Sequence, residues 1–289
     1  MIEQFQHKLT TSFFMWFDNF LLSKGEAYTN TTGEFFYYDD PRVDSDYNVF
    51  GSPYKQWVTD SSINGVTVPT GVFVGPRSNP HNGESGRPDG FIFDFENGRV
   101  LTPTTVASGS SVTGSFAVKD FNVYFTNDTE DDLIIENKYK VNSRLPSADY
   151  NYIEPYDDVV PAIFLSVAQA ENKGFALGGM MDTVVQAKAV VMAEDPYQLD
   201  GALSIFADSV NEIFTSIPFT GYPITELGDL KNNSYSYSGV KEPYETNTSF
   251  YVDKVRTSKL SDKVKKSLAN ELYVGFIDFD LQQHRFRFS

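Results

Sequence analysis

The residues of this chain that could do chemistry are few and far apart. Its three histidines are His7, His81 and His284, and it has no cysteine. No two histidines share a His-Glu-X-X-His or similar metal-ligand spacing. Without cysteine there is no thiolate nucleophile, disulfide or thiolate-bound metal. No Gly-X-Ser-X-Gly elbow places a serine on a sharp strand-to-helix turn. Neither a dinucleotide-binding Gly-X-Gly-X-X-Gly nor a P-loop is present, and Gly178-Gly179 lies between two extended segments, where it reads as a turn. Catalytic and cofactor-binding residues are therefore expected to be none.

Carboxylates are plentiful. Asp39, Asp40, Asp44 and Asp46, or the run from Asp128 to Asp132, could in principle gather a hard cation such as Ca²⁺, but neither has EF-hand spacing, and both read as solvated acidic turns. No metal is expected. A glycosidase needs two carboxyl groups at a defined separation, and no pair is nominated. Basic residues gather once, as Lys254, Arg256, Lys259, Lys263, Lys265 and Lys266. They read either as a solvated face or as a contact for an acidic surface, such as another copy of this chain.

Composition narrows the function classes. Lys and Arg number 23 against 39 Asp and Glu, for a formal net charge of -16 over 289 residues. A sequence-independent nucleic-acid binder needs the reverse balance. Hydrophobic residues make up 40% and aromatics 15%, so a full core is expected rather than a disordered chain. The most apolar stretch, residues 12–22, contains Asp18 and Asn19 and is too short to span a bilayer. No secretory signal is visible, and no membrane association is expected.

The elements follow from periodicity and punctuation. Phe5, Leu9, Phe13, Trp16 and Phe20 recur at helical spacing, which predicts a helix over 3–22 with Gly25 at its stop. Phe14, Phe17 and Leu21 make its apolar face unusually wide, leaving open whether one side packs on a neighbouring subunit. Residues 26–90 read as mostly irregular, with short extended pieces at 34–38, 56–59 and 66–74 and a long surface loop over 75–90. From residue 91 the pattern alternates. Phe91, Phe93 and Phe95, the turn Asn97-Gly98, and Arg99-Val100-Leu101 predict a hairpin. Segments 112–118 and 121–126 read as the next antiparallel pair, with a weak strand at 134–141. Strands are expected at 161–168, 182–193, 251–256 and 272–288. Asp195-Pro196 caps a helix whose stripe, Leu199, Leu203, Phe206, Val210 and Ile213, predicts about five turns. A short basic helix capped by Ser261 is expected before the last strand.

This order resembles something known. A strand Pro161-Ala162-Ile163-Phe164-Leu165-Ser166-Val167 is followed by one ending Ala189-Val190-Val191-Met192-Ala193-Glu194-Asp195. A helix then begins near Gln198-Leu199-Asp200, a late strand is Tyr273-Val274-Gly275-Phe276-Ile277-Asp278-Phe279, and a helix precedes them all. The pattern resembles the tail-terminator and neck proteins of tailed bacteriophages over residues 3–22, about 160–215 and about 250–281. The resemblance implies an α+β fold, an antiparallel sheet flanked by helices, with an inserted antiparallel β-unit and long loops. It divides the chain into a ring-forming core, 1–30 with 150–289, and an inserted domain, 31–149. It implies a structural, non-enzymatic virion protein, made in the host cytoplasm, that forms a homohexameric ring at the head–tail neck or the head-proximal end of the tail. Neighbouring neck, tail-tube or sheath proteins would be its partners, and DNA would pass without being gripped. The interface residues expected are Phe13, Trp16, Phe17, Phe20, Lys263, Lys265, Lys266, Phe286 and Phe288. Another tail component, sheath-associated or baseplate, and a carbohydrate-binding β-module remain alternatives.

Overall fold

The computed structural model describes residues 4–80, 90–135, 140–141, 158–174, 179–232, 234–245, 249–261 and 272–286. The chain is α+β, with sheets that are mostly antiparallel and few helices.

Helix α1 (Phe5–Gly25) forms where expected, with neither proline nor internal glycine to interrupt its apolar repeat. At its start the Gln4 N–H donates to His7 Nδ1 at 3.1 Å, which gives that histidine a capping role. Its stop differs from the expected one. Gly25 is the last helical residue, and Glu26 takes the left-handed conformation at φ 48. Gly25 instead allows close approach, because a Cβ there would run into Ile205.

The region after α1 is far less irregular than its Gly, Pro and Asn content predicts. Strands β1 (Tyr28–Tyr38), β2 (Tyr47–Gly51), β3 (Gly71–Val74), β4 (Arg77–Pro80), β5 (Ile92–Asp94), β6 (Arg99–Pro103) and β7 (Val112–Lys119) form one antiparallel sheet in the order β4-β3-β7-β1-β2-β6-β5. Strand β1 changes partner along its length, pairing Tyr28–Phe35 with β7 and Phe36–Tyr38 with β2. The stretch expected as a loop begins with the β3–β4 hairpin; its remainder, 81–89, lies outside the described residues. The β5–β6 hairpin forms as expected, with Phe93 opposite Val100 and Asp94 opposite Arg99. At its turn Gly98 has φ +60, and a side chain there would collide with the Tyr54 carbonyl.

Strand β8 (Asn122–Phe125) corrects a second expectation. It does not fold back on β7 but joins another sheet, parallel to a later strand. Helix α2 (Glu130–Ile135) follows, where a strand was expected from residue 134. Thr129 and Asp132 hydrogen-bond each other reciprocally at its start, with the Thr129 N–H and hydroxyl both donating to Asp132 Oδ2. Glu130, Asp131 and Asp132 thus occupy the first turn, where the helix dipole favours negative charge, so the acidic run is a helix start. Strands β9 (Lys140–Val141) and β10 (Val159–Val160) form a short parallel pair.

Strands β11 (Ala162–Val167), β12 (Glu171–Gly174) and β13 (Met180–Ala193) lead to helix α3 (Pro196–Ala207). Asp195 Oδ1 accepts the Gln198 N–H at 2.8 Å, and Pro196 opens the helix, as expected. The helix is 12 residues long and stops short of the expected five turns. Ser209 Oγ donates to the Phe206 carbonyl, Asn211 turns to φ 69, and Ile213 begins strand β14 (Ile213–Thr215). Helix α4 (Tyr237–Lys241), β15 (Ser249–Lys259) and β16 (Tyr273–Phe286) follow. The second sheet runs β14-β15-β16-β13-β11-β8, with β12 also on β13. β13 and β16 pair without interruption from Met180↔Phe286 to Ala193↔Tyr273. The sheets therefore part at residues 120–121, between β7 and β8.

One edge of the second sheet is closed by a side chain of the first half. Gln56 Nε2 donates to the Val123 carbonyl at 3.0 Å, and Gln56 Oε1 accepts the Val123 N–H at 2.8 Å. The buried amide stands in for a neighbouring strand.

Helices α1 and α3 lie against each other and against one face of this sheet. Phe13, Trp16, Phe17 and Phe20 form a continuous aromatic core with Phe206, Phe214 and Phe279. On the opposite face Leu133 and Ile134 of α2 pack with Phe164, Val190, Met192 and Val274.

Candidate functional site

A cavity of about 810 Å³ opens between α1, the β5–β6 hairpin, β8 and the segment 219–235. Helix α1 builds one wall because its periodicity serves two faces. Phe13 and Phe17 enter the core, while Thr10, Phe14 and Asp18, four residues apart, face the cavity. Tyr222 crosses the opposite wall. Its ring meets Phe14 edge-on, with centroids 6.1 Å apart, and lies parallel to Phe219, with 7° between the planes. The Tyr222 hydroxyl donates to Glu96 Oε1 at 3.1 Å.

Ion pairs border this space in two places. Lys119 Nζ holds Asp18 Oδ1 at 2.5 Å, linking β7 to α1. Deeper, Arg99 bridges Asp94 and Asp40, each at 2.8 Å, and also donates to the Tyr38 hydroxyl at 3.1 Å. Arg42 takes the other oxygen of Asp40 at 2.9 Å. Burial works against the Arg99 charge, but Asp94 and Tyr38 outweigh it and raise its pKa. Burial likewise opposes ionisation of Asp40, and hydrogen bonds from Arg42 and Arg99 prevail, holding its pKa below the usual value. This network locks the hairpin to β1. Glu96 differs: it lines the cavity while keeping contact with solvent, and partial loss of hydration, reinforced by Asp94, pushes its pKa up despite the Tyr222 hydrogen bond. Burial also raises Tyr222 well above its ordinary value.

Of the expected interface residues, the four on α1 lie together in one core. Phe13, Trp16, Phe17 and Phe20 are at most 7% exposed and belong to the core of this chain. Little of their surface is left exposed, and the apolar face is wide because the helix is enclosed on several sides. Phe286 ends β16 opposite Met180. Lys263, Lys265, Lys266, Phe288 and the expected basic helix lie outside the described residues. Of the same basic stretch, Lys254 pairs with Asp253, Arg256 with Asp280 through two hydrogen bonds, and Lys259 with Asp200.

Among the described residues no three His, Asp or Glu side chains gather in a group able to hold a metal ion. Asp40, one of the aspartates considered for a cation, is spent on arginines, and Asp44 accepts the Asp46 N–H. His284 lies 3.5 Å from Asp182 and far along the chain from His7; His81 is outside the described residues. No described helix is long and apolar enough to cross a membrane.

Sequence reasoning singled out neither Glu96 nor Tyr222. Asn97-Gly98 marks the turn that carries Glu96, but nothing local links it to a tyrosine 126 residues away. Comparison with known proteins leaves this geometry to speak for itself, since no family model matches the chain and no curated protein is significantly similar to it.

Proposed function

We propose that this chain is a structural, non-enzymatic virion subunit that forms a homo-oligomeric ring, a hexamer, at the head–tail neck or the head-proximal end of a phage tail. One observation carries the reading. α1, β11, β13, α3 and β16 follow one another in the order of the tail-terminator resemblance, and both helices lie against the same face of the sheet that those strands form. In this reading the first sheet is the insertion, entering after α1 and ending at β7. The ring contacts are heterologous and use surfaces other than the α1 aromatics. The net charge of -16 suits a passage for DNA that does not hold phosphate. Neck, tail-tube or sheath proteins are the neighbours proposed, and the virion the location.

The test is the mass of the purified chain in solution, together with electron micrographs of the same sample. Six-fold rings support the reading. A chain that stays monomeric at high concentration and does not join particles when they assemble in its presence rules it out.

A further inference from the structure

The cavity has a chemistry that a structural ring does not require. Its lip is apolar and open, with Phe219 61%, Leu227 59% and Phe125 41% exposed. Isolated exposed apolar residues are ordinary, but three converging on one mouth mark a binding surface. At the lip and behind it, the rings of Phe219 and Tyr222 lie parallel with centroids 6.4 Å apart, and Phe14 meets Tyr222 edge-on, so aromatic groups line this wall. Next to it stand polar groups with capacity to spare. Tyr222 occupies one oxygen of Glu96, and among the described residues the other accepts nothing. Asp18 gives one oxygen to Lys119, which uses one of its three N–H donors in return. The wall therefore offers acceptor, donor and acceptor beside aromatic faces, in a volume typical of small-molecule sites.

This pattern selects among ligands. A purely apolar molecule would strip water from Glu96, Asp18 and Lys119 and return no hydrogen bond. An anion would meet Glu96 and Asp18. An ammonium would meet Lys119 and Lys55, both close enough to act on Glu96. A neutral polyhydroxylated ring satisfies all of these groups, since each hydroxyl both donates and accepts and its C–H face packs on an aromatic ring. We propose that this cavity binds a neutral saccharide, with its sugar face on Phe219 and Tyr222 and its hydroxyls on Glu96, Asp18 and Lys119. The site stands independently of the ring reading, because every residue in it belongs to one chain.

The experiment titrates the full chain with glucose, galactose, mannose, N-acetylglucosamine and their disaccharides, followed by saturation-transfer NMR and by tryptophan fluorescence, because Trp57 lines the cavity. Saturable binding of at least one sugar is expected. Phe219→Ala, at a position exposed enough to leave folding intact, is expected to weaken it about tenfold, and Phe219→Tyr to restore it. Glu96→Gln keeps an acceptor for a hydroxyl and is expected to cost only about threefold. Absence of binding across the panel overturns the proposal, as does binding indifferent to Phe219→Ala. Preferential binding of butylammonium, abolished by Glu96→Gln, also overturns it and assigns the cavity to cations.

Discussion

The rings of Phe17 and Phe206 stack with centroids 4.0 Å apart and planes 13° from parallel, joining α1 to α3 at the centre of the core. Both side chains are inaccessible to water. A helix face this aromatic looks like a subunit interface when read alone, yet here its partner is a helix of the same chain.

Phe17→Ala is accordingly expected to destabilise the isolated subunit by about 3–5 kcal/mol, the usual cost of emptying a buried aromatic site. Urea unfolding of the monomeric fraction measures it. Trp16→Asp is expected to unfold the subunit outright, because it places a charge among Phe13, Phe20 and Phe214. A folded, assembly-defective Trp16→Asp variant would return the helix to the interface.

Gln56→Leu keeps the side chain close in size and removes the amide that serves Val123. Both backbone groups of Val123 then lose their partner at a buried edge, with an expected cost of about 2–4 kcal/mol. Amide exchange at Val123, slow in the parent, is expected to accelerate by more than the global loss of stability explains.

Arg99→Met leaves Asp40 and Asp94 buried beside a single remaining arginine, Arg42, and is expected to cost about 3–5 kcal/mol at neutral pH. The sign with pH follows from Asp40, whose folded pKa is depressed. Its contribution is present in full above the ordinary value of 3.8 and is lost as pH falls through the folded pKa. The gap between parent and variant should therefore narrow in acid, as read from denaturation curves over a series of pH values. A gap that stays constant would separate the arginine's packing from its charge.

Glu96 should show the opposite slope. Its folded pKa is raised, so the folded chain holds the proton more tightly, and stability declines as pH rises from the ordinary 4.5 through the folded value. Glu96→Gln removes that decline. The variant should gain on the parent across this window and hold its advantage above it, as followed by melting temperature against pH.

Legibility tracked how local each signal was. The Asp195-Pro196 cap, the Asn97-Gly98 turn and the repeat in α1 are each decided within a few residues, and all three stand in the structure. The β7–β8 connection misled because two residues between alternating segments normally make a hairpin. What diverts β8 is distant: Asn122 donates through its side chain to the carbonyls of Val159 and Pro161, and Gln56 closes the strand's free edge. Helix α3 stopped early although Val210 and Ile213 keep the period, because Ile213 pairs with Tyr251 in a strand instead. The cavity had no sequence signal at all, since Phe14, Glu96 and Tyr222 lie on three separate segments.

The amino-acid sequence by itself determined composition-level matters and local geometry: no thiol chemistry, a strongly acidic chain, an aromatic first helix, and the caps and turns whose energies act within a few bonds. The tertiary structure alone decided where the aromatics are spent, which strands share a sheet, and which carboxylates are neutralised. The reason is that burial and β-pairing are settled between segments. An Asp beside an Arg, such as Asp40 under Arg99, and one facing solvent have the same sequence signature and differ only in what folding brings within 3 Å.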